Sequence, residues 1–147
     1  MSIVLLGIGN PLHADDGAGP RLADMLEGVS GVTAFNCGTA PENFTGLVRK
    51  LNPELLIIAD AAEMGLPAGS VRIIPPENIH DTSVGTHTLP LYHLVDFLAE
   101  PSRKIVIIGI QPASLGWADH VSDPVASALN EIKMMIAENN LLKIPVL

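Results

Sequence analysis

The chain has 147 residues, 48% of them hydrophobic, one cysteine and a formal charge of −8. That size and apolar content suit one compact domain over residues 1–147 rather than two, and a single cysteine excludes an internal disulfide. An acidic balance with no Lys/Arg cluster argues against nucleic acid and favours a cationic or neutral partner or a metal.

In chain order, short branched-apolar runs alternate with segments of helical spacing, the pattern of βα units. The expected fold is α/β, a mostly parallel five-stranded twisted sheet with helices on both faces. Ile3 to Gly7 reads as the first strand. A helix then starts between Asp16 and Pro20 and runs to about Glu27, with Leu22, Met25 and Leu26 on one face. Val32 to Asn36 is the second strand, and a helix from about Asn43 to Leu51 is stopped by Asn52-Pro53. Leu55 to Ala59 is apolar on both faces and reads as a central strand. Val71 to Ile74, between Gly69-Ser70 and Pro75-Pro76, reads as an edge strand. A helix from Leu91 to Leu98, a strand from Ile105 to Gly109 and a helix from Pro124 to Glu138 complete the set. The apolar runs are too short to cross a bilayer, and Met1-Ser2 leads directly into the first strand without a basic, cleavable leader, so a cytoplasmic protein without membrane insertion is expected.

The strand ends carry the chemistry. A parallel sheet brings its C-terminal strand ends to one edge, where α/β proteins bind ligands. There the first strand opens into Gly7-Ile8-Gly9-Asn10-Pro11-Leu12-His13-Ala14-Asp15-Asp16-Gly17-Ala18-Gly19-Pro20, with two adjacent carboxylates. The other strands end in Cys37-Gly38-Thr39, Asp60 and Gln111-Pro112. His87, in Gly85-Thr86-His87-Thr88-Leu89-Pro90, sits in a polar loop before a helix. One carboxylate of the first loop, Asp60 and His87 form a donor set suited to a first-row divalent ion with open positions. Taken singly, each has a plainer role: Asp15 or Asp16 as a helix cap, Asp60 in an Asx turn, His87 bonded to backbone. His13, His80, His93 and His120 read as structural, Cys37 as a small filler, Met64, Met134 and Met135 as core or surface fillers, and Trp117 as a loop aromatic that either contacts a partner or covers core. A dinucleotide fingerprint fails because its third glycine would fall on Leu12 and the second strand ends in Asn36 rather than an acid.

Taken together, Gly7-Ile8-Gly9-Asn10, Asp15-Asp16-Gly17-Ala18-Gly19, Cys37-Gly38-Thr39-Ala40-Pro41-Glu42-Asn43, Ile57-Ile58-Ala59-Asp60-Ala61 and Thr86-His87-Thr88-Leu89-Pro90-Leu91 resemble the motifs of the nickel–iron hydrogenase maturation endopeptidases. Pro41-Glu42-Asn43, the spacing of His87 and Gly109-Ile110-Gln111-Pro112 are most similar to the branch serving formate-hydrogenlyase-type or energy-conserving hydrogenases. The resemblance spans Ile3 to about Glu138. It implies a small monomeric enzyme, aspartic in type, that removes a C-terminal extension from the hydrogenase large-subunit precursor after nickel insertion. Matched motif by motif, the nickel-contacting and catalytic residues would be Asp16, Asp60 and His87, with Asp15 supporting or capping. The sequence departs from the pattern at Asn36-Cys37-Gly38-Thr39, where many relatives carry Asp-Gly-Gly-Thr. Two carboxylates and a histidine make a modest-affinity nickel site, so the substrate rather than the free enzyme would bring the metal. The alternatives are a non-catalytic nickel-dependent recognition module for the large subunit and, behind it, a small nucleotide-binding domain.

Overall fold

The computed structural model describes residues 2–79 and 90–147. It contains one sheet of five strands in the order β2-β1-β3-β5-β4, with β1 Ile3–Ile8, β2 Val32–Gly38, β3 Leu55–Ala61, β4 Val71–Ile73 and β5 Lys104–Ile110. Strands β1, β2, β3 and β5 run parallel, and β4 pairs antiparallel with β5 at the edge. The α/β class, the strand count and the edge position of β4 match the expectation from sequence. Each parallel strand extends one or two residues beyond its predicted end. The apolar run and the ladder continue together, and Asp60 and Ala61 are themselves paired, with Gly109 and Ile110.

Strand alternation sends side chains to two faces, and each face is covered by helices. On one face Leu5, Ile57 and Ile108 pack against α1 (Ala18–Met25) and α4 (Asp123–Ala137), through Leu22, Leu129 and Ile132. On the other, Leu6, Ile58 and Ile107 meet α2 (Thr45–Leu51) and α3 (Leu91–Leu98), through Val48, Leu94 and Leu98. All of β1 and β3 is buried, as central strands covered on both sides must be. Asn52 ends α2 in the left-handed conformation (φ 46°), a conformation asparagine tolerates better than most residues, and Pro53 then prevents continuation. Helix α4 begins one residue earlier than predicted, at Asp123, with Ser122 at the N-cap and Pro124 in the first turn. Among the described residues no helix is long and apolar enough to cross a membrane.

At the opposite end of the sheet from the first loop, Arg103 is a buried cation that acts as a tie. Its guanidinium donates to the carbonyls of Pro53 (3.1 Å) and Leu98 (2.6 Å) and to Asn52 Oδ1 (3.0 Å). These bonds join the ends of α2 and α3 to the start of β5 and replace the water the charge gives up on burial.

Helix α1 lies unusually close to the sheet because two glycines face each other. A Cβ on Gly7 would collide with the Gly19 carbonyl, and one on Gly19 would collide with the Ala59 carbonyl and sit 2.5 Å from that of Ile8. This contact seats the start of α1 directly on the ends of β1 and β3. Gly19→Ala is therefore expected to force the helix off the sheet and to cost about 2–4 kcal/mol, the range of severe overpacking, read as a lowered urea midpoint. A midpoint equal to wild type would contradict this packing account.

Candidate active site

The loop after β1 is shaped by its own backbone. Gly9 adopts φ +145°, and a Cβ there would strike the Asp16 carbonyl, so the loop folds back over its first residues. A short 3₁₀ turn, Ala14–Gly17, then leads into α1. Ala14 takes φ +50°, which costs a non-glycine residue on the order of 1 kcal/mol and persists only where neighbours enforce it. Those neighbours belong to the loop after β5. The Ala14 N–H donates to the Ala118 carbonyl and the Asp15 N–H to that of Ser114, both at 3.0 Å.

Asp15 and Asp16 are both buried but do different things. Asp15 has no exposed surface, and its carboxylate accepts from Ala113 N (2.8 Å), Ser114 N (3.2 Å), Ser122 N (2.6 Å) and Ser122 Oγ (2.8 Å). Burial pushes its pKa up, but the hydrogen bonds from Ser122, Ala113 and Ser114 outweigh that and hold it below the ordinary carboxylate value. Asp15 is thus a clamp between the loops after β1 and β5. Neither aspartate caps a helix, contrary to the plainer expectation: the cap positions of the 3₁₀ turn and of α1 carry no side-chain bond, because these carboxylates are turned to other partners.

Asp16 differs from Asp15 in how its carboxylate is held. Its Oδ2 accepts from Asn10 N at 2.8 Å, while its Oδ1 is buried with no hydrogen-bond partner among the described residues. A buried carboxylate oxygen left open in a native structure calls for an explanation, and a site awaiting a cation or a proton donor is a common one. Asp60 is also buried, near the end of β3. Strand alternation puts it on the Leu56 and Ile58 face, and its neighbour Ala59 lies under Gly19, so the strand end that carries Asp60 adjoins the start of α1. His87 lies outside the described residues. Among those described, no three His, Cys, Asp or Glu side chains group closely enough to hold a metal.

Two flanking residues, noted in the sequence for their positions and motifs, were given no role there. Gln111 is buried just after β5, and its Oε1 accepts from Met64 N (2.7 Å) and Leu66 N (3.4 Å) while its Nε2 donates to Glu63 Oε2 (3.0 Å). It holds the turn that follows Asp60. Glu42, in the 3₁₀ turn Pro41–Phe44 after β2, has a buried Oε2 with no hydrogen-bond partner among the described residues, at the same edge of the sheet. A long-range hydrogen bond leaves no periodic trace, and the signals available were only the positions of Gln111 and Glu42 after strand ends. Cys37 is buried and its thiol is pushed up to about 12 by that burial, which fits the filler role and not a nucleophile. A depression of about 670 Å³ between residues such as Ile74, Pro75, Val95, Lys104 and Leu142 lies toward the other end of the sheet and contains none of these carboxylates.

Because the clamp's pKa is depressed in the folded state, its stabilisation is complete above the ordinary carboxyl range of about pH 4 and is lost as pH falls through the lower folded value. Asp15→Asn leaves donors facing an amide that accepts through one oxygen only. The variant is expected to lose about 2–3 kcal/mol in urea denaturation at pH 7, and to lack the part of the acid-induced loss that wild type shows below about pH 4. Equal stability of variant and wild type at pH 7 would refute the clamp.

Known proteins share this sequence pattern and fold. The family model HycI, described as hydrogenase maturation protease, matches residues 20–139. The hydrogenase 3 maturation protease of Escherichia coli K12 is 37% identical over 135 residues, covering 90% of this chain and 86% of its own. A crystal structure of the hydrogenase 3 maturation protease is similar with a TM-score of 0.86 at 34% identity, over 100% of this chain and 97% of that one. The [NiFe] hydrogenase maturation protease HycI of Thermococcus kodakarensis KOD1 gives a TM-score of 0.82 at 31% identity, over 95% and 92% of the two chains. A shared fold, substantial identity and near-complete coverage coincide, and the chain belongs to the hydrogenase maturation protease family.

Proposed function

We propose that this chain is the endopeptidase that removes the C-terminal extension of a nickel–iron hydrogenase large-subunit precursor after nickel insertion, with nickel on the precursor as its recognition signal. The observation that carries the reading is Asp16: a buried carboxylate with one oxygen open, on a loop fixed by the Asp15 clamp and seated beside the strand that ends near Asp60. Family membership supplies the reaction class. In this reading nickel arrives already held by the precursor and docks against Asp16, Asp60 and His87. The part of His87 comes from the motif resemblance. Three hard or borderline donors without a thiolate leave the metal's other positions to the substrate, so an empty precursor is bound poorly and stays intact. The protein includes no resident metal in this account and works as a cytoplasmic monomer.

The hydrolysis is aspartic in type here. A carboxylate takes a proton from water as its oxygen bonds to the scissile carbonyl carbon, and the departing amide nitrogen receives a proton as the C–N bond breaks. The cation beside the carbonyl offsets the charge that develops on its oxygen. Asp16 is suited to the proton step because its second oxygen is fixed by Asn10 N, which aims the open one.

Intact mass of a large-subunit precursor after incubation tests the reading directly. Wild type is expected to shorten only nickel-loaded precursor, and Asp16→Asn and Asp60→Asn to cut it at least about a hundredfold more slowly. Equal cleavage of nickel-free precursor would remove the recognition role of the metal. Co-purification with loaded precursor whose mass never changes would replace the protease by a recognition module.

A further inference from the structure

The rim beside Asp16 carries an apolar surface that the proton chemistry does not use. Trp117 is 81% exposed, and Leu12 and Leu115 are 56% and 42% exposed. Side chains of this size are seldom left in water on a fixed loop, and aromatic residues so placed commonly anchor a partner. This loop is fixed. Ala118 N donates to the Leu12 carbonyl and Ala14 N to the Ala118 carbonyl, each at 3.0 Å, and His13 and Ala118 form a parallel bridge. The Asp15 carboxylate fastens the same loop at Ala113, Ser114 and Ser122.

His13 links this surface to the site. Its ring lies 4.3 Å from that of Trp117, tilted by 37°, its Nδ1 is 3.3 Å from the Leu115 carbonyl, and its own carbonyl accepts from Asp16 N at 3.0 Å. One residue therefore touches both the aromatic platform and the backbone of the open carboxylate. What sits on Trp117 is held at a set distance from Asp16.

We propose that Trp117, with Leu12 and Leu115, is the platform on which the enzyme seats an apolar side chain of the precursor polypeptide next to the scissile bond, so that it determines substrate positioning. The inference rests on the reading of Asp16 as the hydrolytic site. The occupant is a polypeptide, because the platform is open, apolar and continuous with a site that must receive a chain. An anionic lipid surface is opposed by the charge of −8 and by the exposed Asp119 two residues from Trp117. Since the platform is rim rather than core, its loss acts on binding of ground and transition states alike, which raises KM and leaves kcat nearly constant.

Trp117 is the sole tryptophan of the sequence, so 5-fluorotryptophan gives the protein a single fluorine resonance. The labelled Asp16→Asn protein is titrated with unlabelled nickel-loaded precursor, with complex formation followed by size-exclusion chromatography. Cleavage kinetics are measured with wild type, Trp117→Ala and Trp117→Phe. The expected results are a shifted resonance on complex formation, a KM raised about ten- to a hundredfold in Trp117→Ala with kcat within about threefold of wild type, and recovery in Trp117→Phe. An unmoved resonance in the complex, or a Trp117→Ala KM within about twofold of wild type, overturns the inference. A shifted resonance with a precursor that wild type never shortens would support the docking platform while overturning the protease reading, so the two fail separately.

Discussion

The arrangement of this site depends on one buried carboxylate that does no chemistry. Asp15 takes four donors from the segment between β5 and α4, and by doing so it sets where the first loop lies. Without it, the left-handed Ala14 and the 3₁₀ turn would be tied to the loop after β5 by the backbone bonds of Ala14 and Asp15 alone. A carboxylate is better suited to this task than a neutral side chain, because its two oxygens accept several bonds at once and charge-assisted bonds are the stronger kind. The cost of burying the charge is met by those bonds, which is also why its pKa is held low.

The sheet makes the clamp possible. Parallel strands bring the ends of β1, β3 and β5 to one edge, and the glycine contact between β1 and α1 brings the loop down onto them. The order is structural first and chemical second. Gly7 and Gly19 let the helix approach, Asp15 ties the first loop to the last, and only then is the Asp16 carboxylate held with one oxygen bonded and one open. Gln111 repeats the device on the other side by gripping the turn that follows β3. The departure at Asn36-Cys37 leaves this scheme untouched, since Asn36 Oδ1 accepts from Gly38 N and the Cys37 thiol is buried.

The depression of about 670 Å³ sits away from the carboxylates, whereas the apolar surface near them is an open rim built on Trp117.

Much of the architecture was legible in the order of residues. Alternating apolar runs with period two and period 3.6 determined the strands, the helices and their layering, because burial on both faces demands such runs wherever the chain lies. Asn52-Pro53 and Pro124 marked helix ends to within a residue through backbone chemistry local to a few residues. The motif set around Asp16 and Asp60 identified the family, and the position after a parallel strand identified the edge. The motif resemblance gave Asp16 the site and Asp15 a supporting or capping part, but which partners each carboxylate meets could not be read from two adjacent, chemically identical residues. Tertiary structure separates them, because the Asp15 carboxylate meets donors about a hundred positions away in the chain while that of Asp16, among the described residues, accepts from Asn10 N nearby. The same holds for His13 and Trp117, distant in sequence and stacked in space. Local pattern determines which elements form, and contacts between remote loops decide what each side chain at their ends is free to do.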